Sequence, residues 1–101
     1  KYVGERAFTR IGARTVVREY VSIQRATGAG EVTSVGADCL LLAYVHIAHN
    51  CVVGDNVTMS NLAQLAGHCL ISDHAVLSGM AGVVQFTRVG RYAFVGGDSK
   101  V

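Results

Sequence analysis

Every sixth residue from Ile11 to Val101 is aliphatic or Met, and only Ala29 in that series lacks a large side chain. Four residues further on in each hexad, from Thr15 through Cys39, Cys51 and Cys69 to Ser99, the side chain is small or compactly β-branched. The residue directly after the large one is often Gly, Ala or Ser, as at Gly12, Gly36, Ala48, Gly54, Ala66, Gly90 and Gly96. A period of 3.6 would mark an amphipathic helix and a period of 2.0 a half-buried strand, and neither generates this spacing. A hexapeptide-repeat parallel β-helix does. Three hexads make one triangular coil, each supplying a short strand and a corner, and coils stack through parallel hydrogen bonds about 4.8 Å apart. The large residue fills the prism, the small one points inward near a corner, and the stack buries what no single coil could. At eighteen residues per coil, 101 residues give five to six coils.

The phase is unbroken from Val35 to Val101. Upstream, the stretch from Arg25 to Val32 holds two glycines and little to bury. Residues 25–34 are therefore expected to leave the prism as a loop on one corner, and such loops on rigid scaffolds commonly carry function. Residues 1–101 read as a single domain. The chain begins on Lys1 and stops in mid-repeat at Val101, so it is expected to be a piece of a longer protein; a natural solenoid caps its terminal coils.

Composition narrows the picture further. The chain is 50% hydrophobic and 16% charged, with no Pro and no Trp, which argues against disorder. Its twelve glycines, free of low-complexity runs, fit many tight corners. A net charge of +2 with nine scattered Lys and Arg is too small for a nucleic-acid footprint, and no apolar run is long enough to span a bilayer. Cys39, Cys51 and Cys69 all fall in the small inward slot, where a free thiol behaves as a small buried hydrophobe, so a reducing compartment is expected.

The period also sorts the polar residues. His49, Gly67 and Gln85 are eighteen apart and should form one outward column, one residue per coil. His68 follows Gly67, and His46 precedes His49 by three. A histidine, a glycine with an available N–H and an amide thus gather on one edge, with further histidines beside them. His74 falls elsewhere in the coil and reads as surface.

Ala48-His49-Asn50, within His46-Ile47-Ala48-His49-Asn50, resembles the active-site hexads of lipid A acyltransferases. Lys1-Tyr2-Val3-Gly4-Glu5 and the stretch from Arg18 to Thr27 are similar to the UDP-N-acetylglucosamine O-acyltransferase branch, as are Leu65-Ala66-Gly67-His68 and Val84-Gln85-Phe86. The resemblance spans essentially the whole chain. It implies a left-handed hand for the β-helix and the transfer of a 3-hydroxyacyl group from acyl carrier protein to the sugar 3-hydroxyl of UDP-N-acetylglucosamine, in the cytoplasm and without a cofactor or metal. It further implies His49 as general base and the Gly67 N–H as oxyanion donor, chemistry that suits a neutral imidazole and a backbone amide. Lys1, His46, His68 and Gln85 match positions lining the substrate pocket. Gly97 matches a place where side-chain size limits acyl length, and glycine leaves room for a longer chain. The resemblance also implies a homotrimer with active sites between subunits, and a C-terminal helical segment outside these residues. The outward residues Leu42, Tyr44, Leu62 and Met80 are candidates for the apolar face that three copies would close cyclically.

Three residues depart from the family pattern. Gln24 and Val84 stand where the family commonly has His, and Asn50 stands where many members have Asp; an amide can orient an imidazole but carries no charge to stabilise imidazolium. The departures keep other readings open: the related N-acyltransferase of the same pathway, a zinc enzyme resembling γ-carbonic anhydrase through His46, His49, His68 and His74, and a catalytically silent β-helix serving as a scaffold or binding module.

Overall fold

The computed structural model describes residues 8–28 and 30–101, so Lys1 and its motif, and Ala29, lie outside the described residues. The described chain runs through short strands and no helix. They are β1 (Phe8–Ile11), β2 (Val16–Val17), β3 (Ser22–Ile23), β4 (Val32–Val35), β5 (Leu40–Leu41), β6 (His46–Ile47), β7 (Val52–Val53), β8 (Thr58–Met59), β9 (Gln64–Leu65), β10 (Leu70–Ile71), β11 (Val76–Leu77), β12 (Gly82–Val83), β13 (Arg88–Val89) and β14 (Phe94–Val95). Every third strand stacks in parallel into one of three sheets, in the orders β1-β4-β7-β10-β13, β2-β5-β8-β11-β14 and β3-β6-β9-β12. A bridge from Gly82 to Lys100 extends the third sheet into the last coil. The result is a three-sided parallel β-helix of five coils, about 40 Å along its longest axis.

The six-residue series fills the prism. Leu41, Ile47, Met59, Ile71 and Leu77 are fully buried, and the inward Cys39, Val45, Cys51, Val57, Ala63, Cys69, Ala75 and Ala81 stack between them. All three cysteines are free and buried. Each directs its sulfur at a backbone carbonyl, Cys51 at Ala66 O (3.0 Å) and Cys69 at Val84 O (3.0 Å), which satisfies the one polar group in an apolar slot. Among the described residues of this series only Ile11 and Val17 in the first coil and Val101 at the end are exposed, Ile11 at 48% and Val101 at 44%.

The corners hold a finding that the hexad count alone does not reveal. Among the described residues thirteen that are not glycine, including Tyr44, Asn50, Leu62, His68, Met80 and Phe86, have φ between 58° and 65°. Left-handed backbone costs an L-residue about 1–3 kcal/mol. The stack compensates, because corner N–H groups donate to the preceding coil: Asn56 to Ala37 O (2.9 Å), His68 to His49 O (3.1 Å) and Met80 to Asn61 O (2.9 Å). Glycine is thus not what turns the corners, contrary to the expectation from its abundance. Gly36 instead stands where coils touch, and a Cβ there would lie 2.7 Å from the carbonyl carbon of Gly54.

One hexad leaves the prism. Phe8 pairs with Val32, Val16 with Leu40 and Ser22 with His46, an offset of 24, whereas Ser34 pairs with Val52 and later strands keep an offset of 18. Between β3 and β4, Ala26 is buried and Thr27, inward by count, is exposed. The two described glycines with positive φ, Gly28 (102°) and Gly30 (78°), both lie in this extruded turn.

Candidate active site

The corner between the third and first sheets carries Asn50, His68 and Phe86 in successive coils, each in left-handed backbone, and the residues just before them are His49, Gly67 and Gln85. The strand register β6-β9-β12 puts these three in one column, and the stack confirms it: His68 N–H donates to His49 O and Phe86 N–H to Gly67 O. The His49 ring lies directly over Gly67. A Cβ on residue 67 would stand 2.7 Å from His49 Cε1 and 2.8 Å from Nε2. Gly67 is not in left-handed backbone, so it is glycine for space rather than for conformation. The His68 ring meets His49 edge-on at 5.1 Å and stacks on Phe86 at 4.7 Å, forming an aromatic wall beside the imidazole.

The orientation of His49 follows from its neighbour. Asn50 Oδ1 accepts the Thr27 N–H (3.0 Å) and the Thr27 hydroxyl (3.1 Å), while Asn50 Nδ2 donates to Glu31 Oε1 (2.6 Å). A backbone N–H needs an acceptor and a carboxylate needs a donor, so the amide cannot be flipped. His49 Nδ1 lies 3.0 Å from Asn50 Oδ1 and must therefore donate to it. The neutral ring then carries its proton on Nδ1 and presents the lone pair of Nε2, the geometry a general base requires.

The column also separates a closed amide from an open one. His49 N–H is capped by Gln24 Oε1 (3.1 Å), which reaches across from the preceding coil. For Gly67 the corresponding residue is Ala48, which has no acceptor to offer, and among the described residues the Gly67 N–H donates to no partner. The residue against which the His49 ring lies thus carries a free backbone donor.

Beside the corner, the third sheet presents Ser22, His46, Gln64, Gly82 and Lys100 outward in register. Gly82 interrupts this row, and an open groove runs over it between His46, Gln64, Val84 and Lys100. His46 Nδ1 pairs with the Ser22 hydroxyl at 2.6 Å, leaving its other nitrogen for the groove.

The residues singled out from sequence thus divide. His49, Gly67, His68 and Gln85 share the corner, and His46 stands at the groove that opens from it. Gly97 does not join them; its neighbour in the stack is Gly79, on the corner at the far edge of the third sheet. His74 stacks on Tyr92 (4.6 Å) at the remaining corner, and Lys1 lies outside the described residues. Sequence reasoning missed Thr27, Glu31 and Ser22, and read Gln24 only as a departure from the family's His, where it caps a backbone donor. These residues precede the extruded hexad or belong to it, so counting by eighteen pairs them with the wrong partners.

Comparison with known proteins fits this geometry. Residues 33–67 match the family model described as bacterial transferase hexapeptide (six repeats). The chain is 48% identical over 101 residues to the acyl-[acyl-carrier-protein]–UDP-N-acetylglucosamine O-acyltransferase of Gloeothece citriformis, aligning with all of this chain and 37% of that protein. It is 51% identical over 102 residues to the corresponding protein of Aliivibrio fischeri, covering 39% of it. The crystal structure of Francisella novicida UDP-N-acetylglucosamine acyltransferase superposes with a TM-score of 0.92 at 39% identity, over 100% of this chain and 37% of that one. The solenoid has the left-handed coil that the resemblance implied. The chain spans less than two-fifths of the length of these relatives. The chain accordingly aligns along its whole length with a β-helical portion of the hexapeptide-repeat acyl-[acyl-carrier-protein]–UDP-N-acetylglucosamine O-acyltransferases, which it resembles in both sequence and fold.

Proposed function

We propose that this chain is the catalytic β-helix of an acyltransferase of lipid A biosynthesis that moves a 3-hydroxyacyl group from acyl carrier protein to the 3-hydroxyl of UDP-N-acetylglucosamine. The observation that carries the proposal is the pairing of a lone pair and a free donor: in the neutral His49 ring Asn50 holds the proton on Nδ1, so the lone pair is on Nε2, and the N–H of Gly67, against which that ring lies, is uncapped. Nε2 takes the proton of the sugar hydroxyl as its oxygen attacks the thioester carbonyl. The carbonyl oxygen becomes an oxyanion facing the Gly67 N–H. Collapse of the tetrahedral intermediate breaks the carbon–sulfur bond, and the departing thiolate recovers the proton from the His49 imidazolium. Ester and free thiol are released.

His46, His68, Gln85 and Lys1 line the sugar-nucleotide and acyl pocket, and Gly97, at the far edge of the third sheet, limits acyl length from a neighbouring subunit. The protein works in the cytoplasm as a homotrimer. Exposed Tyr44, Leu62 and Met80 (53%, 44% and 53% accessible), stacked in one corner column and continued by the Tyr20–Tyr44 ring pair at 5.0 Å, supply an apolar edge for the neighbouring subunit.

The test is acyl transfer by the intact protein with UDP-N-acetylglucosamine as acceptor, wild type against His49→Ala. Loss of about 10³-fold in kcat is expected for removal of the base. Undiminished transfer by the variant would sink the base assignment, and no transfer by wild type would favour a silent scaffold.

A further inference from the structure

Asn50 joins three parts of the molecule. Its backbone N–H donates to Thr33 Oγ1 (2.7 Å), which is wholly buried in the prism. Its Oδ1 faces His49 Nδ1, and its Nδ2 donates to the Glu31 carboxylate at 2.6 Å, a charge-assisted length. Glu31 itself is held from two sides. Its carbonyl accepts the Phe8 N–H of β1 (3.0 Å) and its N–H donates to Gly28 O (3.2 Å). Gly28, at φ 102°, leaves room for the carboxylate to fold back across the turn; a Cβ there would stand 2.8 Å from Oε1. The extruded hexad therefore delivers one negative charge to the far side of the amide that orients the base.

We propose that Glu31 is a positioning residue for acyl transfer, acting on His49 through the Asn50 amide. The inference rests on the acyltransferase reading of His49. A carboxylate on Nδ2–H polarises the amide and adds negative charge to Oδ1, where the His49 Nδ1–H bond ends. When Nε2 accepts the hydroxyl proton, the imidazolium that forms faces an amide oxygen already made more negative. An uncharged side chain beside the base thus does part of what a carboxylate would do there. Glu31 also secures the orientation of Asn50, and with it the tautomer of His49.

The test uses the intact protein. Glu31→Gln keeps an acceptor for Asn50 Nδ2 and removes only the charge; because Glu31 is exposed and screened, kcat should fall about fivefold with KM for both substrates unchanged. Asn50→Asp places a carboxylate directly on His49 Nδ1, and the double variant Glu31→Gln/Asn50→Asp should regain kcat to within about twofold of wild type. A loop that merely tied the corner together would give losses that add. Wild-type kcat in Glu31→Gln, or a double variant no faster than Glu31→Gln, overturns the proposal. The His49 Nδ1–H proton resonance supplies a readout independent of turnover: weaker polarisation of Oδ1 should move it upfield in Glu31→Gln, and an unmoved resonance overturns the relay. If wild type transfers no acyl group, the functional reading fails and this resonance still decides the relay.

Discussion

Replacing Gly67 by Ala should separate the needs of the fold from those of the chemistry. Residue 67 precedes a corner, and the equivalent places in other hexads hold Ala43, Asp55, Asn61 and Gln85, so the backbone there accepts a side chain. The three atoms nearest the added Cβ all belong to the imidazole of His49, with Cε1 at 2.7 Å and Nε2 at 2.8 Å, so no main-chain atom stands as close as the ring. Carbon atoms in contact settle at about 3.5–4.0 Å, so the ring must retreat by roughly 1 Å. That retreat strains the 3.0 Å bond to Asn50 and draws Nε2 away from the Gly67 N–H. A misplacement of about 1 Å at reacting groups costs on the order of 10²-fold, about 2.7 kcal/mol of barrier. The fold should hardly notice. Gly→Ala at a compatible backbone gains about 0.4–1 kcal/mol through the unfolded chain, offset by about 1 kcal/mol for an off-rotamer histidine. Initial rates of acyl transfer and urea melts of the same samples test both halves. A kcat within threefold of wild type, or a loss of more than about 2 kcal/mol of stability, would refute the reasoning that the ring, and not the fold, absorbs the clash.

Three further outcomes are expected. Gly36→Ala meets backbone instead of a ring, with Gly54 C at 2.7 Å, so it must prise two coils apart; a loss of about 2 kcal/mol or more in denaturant titration is expected, and a stable variant would contradict the stacking geometry. Thr33→Val leaves the Asn50 N–H without its 2.7 Å acceptor, costing about 1–3 kcal/mol of stability and loosening the residue that orients His49, so melts and kcat should fall together. Burial pushes the Cys51 thiol from 9.0 up to about 11, so between these values the folded state keeps a proton that the unfolded chain has lost. Unfolding free energy should therefore decline as pH rises through that window, and less steeply in Cys51→Ala; parallel curves for the two proteins would count against a thiol sealed in the core.

Much of this was legible in the chain. The hexad period alone places Leu41, Ile47, Met59, Leu65 and Cys51 in the core, because in a stacked coil inward direction is a matter of counting. It also brought His49, Gly67 and Gln85 into one column, since all three lie downstream of Val35, where the offset stays at eighteen. It failed upstream. The extruded hexad is itself six residues long, so the count stays in phase across it while the partners of every earlier residue shift from eighteen to twenty-four. That concealed Gln24 over the His49 N–H and Thr27 and Glu31 on Asn50.

The corners were hidden for a different reason. Left-handed backbone at Leu62, Met80 and Phe86 contradicts the conformational preference of each residue, and only hydrogen bonds to the neighbouring coil make it tolerable. Such bonds exist only after stacking. The sequence by itself determined the solenoid, its core and the column of polar groups, because these depend on one short-range period and the burial it enforces. The tertiary structure alone decided where the protons and charges lie: that Gly67 is bare to admit a ring, that its N–H is uncapped, and that a carboxylate from an extruded turn reaches the amide beside His49. Those are distances between coils, and no periodicity along the chain encodes them.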